Sequence, residues 1–338
     1  MRAAVYHGPG DLRVEDVPEP SAGPGDVIIR VVSVLTCGTD LKTLRRGHPY
    51  VKPPRILGHE YSGVVVESGE GSGFRVGDRV AGVNSGPCLE CRYCRLGREN
   101  LCETLDSELV GFTVDGAYAR LCRIPRRVAR VNLHRIPDVI GFEDAAFLEP
   151  LSCVVHGLNI AMPLGGSIAI LGGGPIGLLH LQALKNIRPD SKVTVFDPHP
   201  EKLEVAGRLG ADETVEAVGE IWNAFEGRFE TVIESVGRVE AWEKAVQIVE
   251  KGGTVLFFGG CPRGTKLQLD TYKTHYGELR LLGAFHHTPR DVRKALELIS
   301  SGRLKLSELI NYERPLEEIL KAYESLASGQ AVKILIRP

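Results

Sequence analysis

The chain has 338 residues, 43% of them hydrophobic and 25% charged, with a formal net charge of -2. So even a balance excludes the basic field that nucleic acid or an anionic membrane surface would need, and leaves small molecules and further copies of the chain as expected partners. The length exceeds what one hydrophobic core usually supports, which favours two domains.

The opening stretch MRAAVYHGPGDLRVEDVPEP has charges and prolines where a secretory signal has an apolar run, so a reducing cytosol is the expected compartment. From Met1 to about residue 150, short β-rich runs (DVIIRVVSV, YSGVVVES, DRVAGV, GAYARLCRI) alternate with Gly and Pro turns and predict an irregular, mostly β domain. Within it, PCLECRYCRLGRENLC sets Cys88, Cys91, Cys94 and Cys102 in the spacing CxxCxxCx7C. Such a set can be a disulfide staple, a redox pair or a thiolate metal cage. A chain of this length needs no staple, the cytosol keeps thiols reduced, and a redox CxxC has no use for a third and fourth cysteine. The expectation is tetrahedral zinc, and four thiolates close the coordination sphere, so the site is structural and holds a lobe of about residues 86–104 in shape.

The run from Pro150 to Leu184 carries no Asp, Glu, Lys or Arg, but prolines and glycines from Pro163 to Gly177 cut it into pieces too short to span a bilayer. From Ser167 strand and helix patterns alternate: SIAIL, PIGLLHLQALKNI, KVTVFD, EKLEVAGRLGA, FETVIES, EAWEKAVQIVEKGG, TVLFFGG. This predicts a doubly wound parallel sheet over about residues 151–283. LGGGPIG places Gly172, Gly174 and Gly177 in a GxGxxG spacing between strand and helix, with Pro175 and Ile176 opening the helix. The first glycine allows the tight turn, the second the approach of a pyrophosphate, the third close packing. Asp197 ends the next strand, where a carboxylate accepts hydrogen bonds from the adenosine ribose and repels a 2'-phosphate. NAD is therefore expected, with His199 and Lys202 near enough to admit NADP. Residues 284–338 hold two helical patterns and a last strand, AVKILIRP, which can return to the first domain.

In the β-rich part, TCGTD supplies Cys37 and LGHEYSG supplies His59 and Glu60. Sulfur, nitrogen and oxygen ligands with one position open describe a catalytic zinc. Taken singly, Cys37 reads as a small buried hydrophobe and His59 as a satisfied polar residue.

With GHEYSGVVVESGEGS, VGDRVAG and the four-cysteine lobe, the chain resembles over its whole length the medium-chain, zinc-dependent alcohol dehydrogenases, and within them the sorbitol or polyol dehydrogenases. The resemblance implies an α/β chain with a GroES-like catalytic domain over about 1–150 and again over 284–338, and a Rossmann domain between. It implies two zinc ions, NAD, a homo-oligomer that is a tetramer rather than a dimer, and oxidation of a secondary hydroxyl of a sugar, polyol or cyclitol to the ketone with hydride transfer to nicotinamide. By it, Cys37 and His59 hold the catalytic zinc and Cys88, Cys91, Cys94 and Cys102 the structural one.

Glu149, in FLEPLSC, falls where liver-type relatives present a third ligating cysteine. By the resemblance Glu60 is the expected direct third ligand, and Glu149 sits beside the metal, bound directly or through water. A charge in so apolar a stretch wants a cation. Thr39 is expected to hydrogen-bond the substrate hydroxyl that the zinc acidifies. Many relatives continue that proton path with a His where this chain has Lys42; His48, in RRGHPY, is the substitute offered, a solvated loop histidine being its plainer reading. His286 and His287, in GAFHHTPRD, stand where polyol enzymes tend to touch substrate hydroxyls, and can donate and accept hydrogen bonds there or else cap the helix starting near Pro289. Two alternatives accompany this reading: a threonine dehydrogenase, which shares Cys, His, Glu and Glu, and a catalytically silent nucleotide-binding protein, against which the retention of all four candidate ligands argues.

Overall fold

The computed structural model describes residues 1–161 and 166–338. Pro163 and Gly165, two of the expected breakers of the charge-free run, lie outside them. In chain order the strands are β1 (Arg2–Gly8), β2 (Asp11–Asp16), β3 (Val27–Leu35), β4 (Arg55–Ile56), β5 (Glu60–Ser68), β6 (Arg79–Gly82), β7 (Leu121–Ile124) and β8 (Leu133–Arg135), then β9 (Ser167–Leu171), β10 (Lys192–Asp197), β11 (Glu213–Glu216), β12 (Phe229–Glu234), β13 (Val249–Phe257) and β14 (Arg280–Gly283), then β15 (Ile310–Pro315) and β16 (Lys333–Arg337). They fall into two units. The first comprises Met1–Ser152, His287–Gly302 and Leu306–Pro338, and the second Cys153–His286 with Arg303–Lys305.

The first unit is built on a seven-stranded sheet in the order β15-β16-β3-β5-β6-β8, with β7 also pairing to β3, and a small sheet β2-β1-β4. At its centre β3 reads VIIRVVSVL, a run of branched side chains buried almost throughout, which suits a covered strand. Strand register gathers distant segments here. β3 pairs antiparallel with β5 so that Leu35 faces Glu60 and Val34 faces Tyr61, and β16 pairs with β3 so that Leu335 also faces Leu35. The segments just beyond the end of β3, just before β5 and at the start of β16 are thereby brought to one edge. Large aromatics fill the space behind: Tyr6, Tyr61 and Tyr118 are all fully buried. The Tyr61 hydroxyl donates to Val83 O at 3.2 Å, so this buried polar tip is satisfied.

The second unit is a six-stranded sheet in the order β11-β10-β9-β12-β13-β14, parallel throughout. This is the doubly wound order with its switch point between β9 and β12, where the carboxyl ends of the strands open a crevice. β9 and β10 are buried along nearly their whole length, as strands covered on both faces must be, which is why they read as continuous apolar runs. Phe196 of β10 anchors one layer, stacked on Trp222 at 5.2 Å and edge-on to Phe225 at 5.0 Å. Among the described residues no helix is long and apolar enough to cross a membrane.

Candidate metal centre and dinucleotide turn

Beyond β3 the chain passes through Thr36 to Cys37, which caps the helix Gly38–Arg46 and accepts the Thr39 N–H on its sulfur at 3.4 Å. The β3–β5 register carries His59 and Glu60 to the same place. One ligand atom from each of Cys37, His59 and Glu60 lies within 4.8 Å of the others. A tetrahedron built on zinc bonds of about 2.0–2.3 Å has edges of about 3.3–3.8 Å, so the three need only close slightly on an ion. His59 and Glu60 are buried and Cys37 is half-buried. Thiolate, imidazole and carboxylate are a donor set that suits zinc.

Two buried residues complete this centre, and sequence reasoning assigned a role to neither. Asp40, in the first turn of the capped helix and 1% exposed, sets Oδ1 3.1 Å from His59 Nδ1, close but off hydrogen-bond alignment. With Nδ1 turned to a carboxylate, Nε2 is the nitrogen offered to a metal. Burial works against charge on His59, yet Asp40 and Cys37 outweigh it and raise the imidazole pKa well above its ordinary value. Lys333, at the start of β16 and 2% exposed, pairs its ammonium with Glu60 and donates to Thr36 O at 2.8 Å. Burial again opposes the charge, and Glu60, Cys37 and Glu149 more than restore it, leaving the lysine pKa raised. Three acidic groups thus surround one buried ammonium, an environment that accommodates a further cation.

Glu149 lies on the helix Leu148–Ala161, 7% exposed, with a carboxylate oxygen and a ring nitrogen of His287 within 4.8 Å of each other. His48 is half-buried, its ring 5.2 Å from Phe112, whose own ring is 5.0 Å from that of His59. Burial and the nearby His59 lower the His48 pKa, and its Nδ1 accepts the Tyr50 N–H at 3.3 Å, which leaves the proton on Nε2. Thr39 is half-buried one turn before Thr43, whose hydroxyl donates to Thr39 O at 2.8 Å, while Lys42 is exposed. The helix Pro289–Ser300 is capped by Thr288 in a capping box with Asp291, so the capping role weighed for the histidine pair belongs to their neighbour. His287 is 2% exposed; His286, in the second unit, takes a left-handed backbone at φ 62°.

The four-cysteine lobe is compact. Cys88 and Cys94 sulfurs are 3.8 Å apart and those of Cys91 and Cys94 3.6 Å, close to the edge of about 3.8 Å of a tetrahedron with zinc–sulfur bonds of about 2.3 Å and far beyond a disulfide bond. Backbone N–H groups are already turned on the sulfurs: Cys91 N–H on Cys88 at 3.2 Å and Cys88 N–H on Cys102 at 3.3 Å. Such donors lower the pKa of Cys88 and Cys91, and lower that of Cys102 against its burial, while burial and the neighbouring thiols push Cys94 up. This is a cysteine-rich zinc site. Cys94→Ser is expected to lose one equivalent of zinc and expose the segment 88–102 to proteolysis, since metal-binding free energy there is folding free energy. Unchanged zinc content and melting temperature would show that these thiols hold no metal.

In the second unit the turn after β9 has the sterics that its glycines anticipate. Gly172 takes φ 104°, and a Cβ on Gly177 would lie 1.8 Å from Gly172 O, which no side chain tolerates. Gly174 caps the helix Pro175–Ile187, with Pro175 and Ile176 in its first turn. Asp197, 5% exposed at the end of β10, accepts the Gly173 N–H on Oδ2 at 2.8 Å and the His199 N–H on Oδ1 at 3.0 Å, with Lys202 Nζ 3.8 Å away. The carboxylate is thus tied to the glycine turn itself. Glu234, ending β12 across from Leu171, is a further buried carboxylate here that sequence reasoning missed, accepting the N–H groups of Val236 and Gly237 at 2.7 and 2.8 Å.

Residues 23–138 match the alcohol dehydrogenase GroES-like domain, and residues 175–301 the zinc-binding dehydrogenase domain. Sorbitol dehydrogenase of Bombyx mori is 34% identical, over 99% of this chain and 97% of its own length. Erythritol/L-threitol dehydrogenase of Mycolicibacterium smegmatis is 32% identical, over 100% of this chain and 98% of its own. A crystal structure from Sinorhizobium meliloti 1021, named provisionally as a zinc-binding dehydrogenase and bound to NADP, superposes with a TM-score of 0.90 at 32% identity, covering 100% of this chain and 99% of that one.

Proposed function

The chain belongs to the zinc-dependent alcohol dehydrogenase family, and from that premise we propose that it oxidises a secondary hydroxyl of a polyol, sugar or cyclitol to the ketone, with NAD as the preferred acceptor. The observation that carries this reading is the convergence of Cys37, His59 and Glu60 within 4.8 Å, backed by buried Asp40. Bound there, zinc supplies a Lewis acid that lowers the pKa of the substrate hydroxyl, while the nicotinamide accepts the hydride. The chain's residues do the rest. Cys37 and His59 would hold the metal, Glu60 would be the third ligand, and Glu149 stands by with His287. Thr39 accepts the hydroxyl proton as it releases its own, and His48, in place of the exposed Lys42, relays it by taking a proton at Nδ1 when the Tyr50 N–H lets go and releasing the one on Nε2. His286 and His287 hydrogen-bond further hydroxyls of the substrate. A second zinc fills the cage of Cys88, Cys91, Cys94 and Cys102.

Asp197 sets the acceptor. Fixed by two backbone donors, it keeps lone pairs for the ribose hydroxyls and sets a negative charge where NADP carries a phosphate; Lys202 tempers that charge. Asp197→Ser is expected to raise KM for NAD about tenfold, the worth of roughly one charge-assisted hydrogen bond, and to narrow the gap to NADP. A wild-type protein that already prefers NADP would contradict the assignment.

The named relatives act on sorbitol and on erythritol or threitol, which favours polyols over L-threonine. A cytosolic homo-oligomer, a tetramer rather than a dimer, is part of the same reading and rests on the family resemblance. A screen of NAD and NADP reduction against polyols, aldoses, inositols and L-threonine tests the reading. A polyol, sugar or cyclitol is expected to lead; turnover confined to L-threonine would replace it.

A further inference from the structure

We propose that Tyr118 is a positioning residue of the candidate metal centre, fixing the Asp40 carboxylate that orients His59. The proposal rests on the reading of Cys37, His59 and Glu60 as metal ligands. Tyr118 is fully buried, its hydroxyl 2.9 Å from Asp40 Oδ2 and 3.2 Å from Leu35 O. A phenol has one proton to give, and the carboxylate is both the nearer and the charged acceptor, so it takes the stronger bond. The other Asp40 oxygen faces His59 Nδ1 at 3.1 Å. A line runs from the Tyr118 hydroxyl through both oxygens of Asp40 to the imidazole, and its last atom, Nε2, is the one offered to the ion.

Tyr118 is itself held on every side. Its N–H donates to Leu57 O at 3.0 Å, its carbonyl accepts the Ala4 N–H at 2.8 Å, and its ring meets Tyr323 edge-on at 6.3 Å. The residue before His59 is shaped to admit it: a Cβ on Gly58, which takes φ 91°, would lie 2.9 Å from both Cγ and the backbone nitrogen of Tyr118. Packing alone does not account for the choice of tyrosine, since phenylalanine would fill the same space without burying a hydroxyl. What the hydroxyl adds is a fixed rotamer for Asp40, which at Oδ1 is close to His59 but poorly aligned and therefore depends on its other oxygen for orientation.

Partners of this kind, one bond removed from a metal, typically change its affinity 10- to 100-fold. The test uses the full chain loaded with zinc, then with cobalt. Tyr118→Phe is expected to weaken one of two bound ions about tenfold in chelator competition and to shift the cobalt d–d bands of that ion, with the cysteine cage unchanged in the same sample. Asp40→Asn is expected to do the same, and the double substitution to cost little more than either alone, because both act through one carboxylate. Should Tyr118→Phe fail to fold, Asp40→Asn alone in the same chelator competition and cobalt spectrum decides, since wild-type affinity and bands in it would leave Tyr118 nothing to act through and would overturn the proposal. Wild-type affinity and spectrum in Tyr118→Phe, or losses that simply add, would overturn the proposal. A wild-type chain that binds no ion outside the cage would overturn the metal-centre reading first, before any substitution is made.

Discussion

Cys37→Ser and His59→Ala are each expected to abolish polyol-dependent NAD reduction and to lower the zinc content by one ion per chain, while the protein remains folded. The two substitutions fail for the same chemical reason and differ structurally. At Cys37 the side chain also caps the helix Gly38–Arg46, and serine is a better cap than cysteine, so the helix start survives and only the thiolate is lost. At His59 the alanine leaves Asp40 buried beside a void, and a stability cost of about 1–3 kcal/mol accompanies the loss of the ligand. In both, the missing Lewis acid is worth several kcal/mol of transition-state stabilisation, a drop of about a thousandfold or more in kcat. Zinc analysis and circular dichroism on the same preparations check this. Either variant retaining both its zinc and its turnover would remove these residues from the centre.

The second large effect is expected at Lys333. Lys333→Met leaves the buried Glu60 carboxylate, beside Cys37, without its ammonium partner. Breaking a buried pair by removing one member costs about 3–5 kcal/mol, because the remaining charge is stranded away from water. The metal-free variant should therefore unfold at markedly lower denaturant than the metal-free wild type. Zinc should narrow the difference, since a cation bound beside Glu60 replaces part of what the ammonium supplied. Lys333→Arg, which keeps the charge, should lose less. A metal-free Lys333→Met as stable as wild type would contradict the buried Lys333–Glu60 ion pair.

The parts of this molecule that the sequence reveals are those whose physics is local. Parallel strands covered on both faces write themselves as apolar runs, and the turn after β9 needs glycine at 177 because nothing else fits over Gly172 O. Cys88, Cys91 and Cys94 meet because their spacing lets one short loop fold back on itself. Lys333 and Tyr118 are different, since their partners Glu60 and Asp40 are 273 and 78 residues distant, the first pair meeting through the β3, β5 and β16 registers and Tyr118 being placed by its backbone bonds to Leu57 and Ala4. Some signal was nonetheless present. A single lysine inside AVKILIRP is a charge in an apolar strand and calls for a buried partner, and the Asp of TCGTD stands one helical turn from the ligand cysteine, where it can point back toward the site. TPRD is likewise a capping pattern, Thr288 to Asp291, which leaves the preceding histidines without that role. The choice between Glu60 and Glu149 could not be made from spacing alone, because what distinguishes them is the company each keeps: Glu60 beside the thiolate, the imidazole and Lys333, Glu149 beside His287.

The most direct test of the zinc-dependent assignment measures polyol-dependent NADH formation in one preparation before chelation, after the metal is removed, and after zinc is returned, with bound zinc counted at each stage. The expected result is activity that falls to background as the ion outside the cysteine cage departs and returns in proportion as that ion is replaced. A folded chain that continues to oxidise the polyol with that ion gone would contradict it.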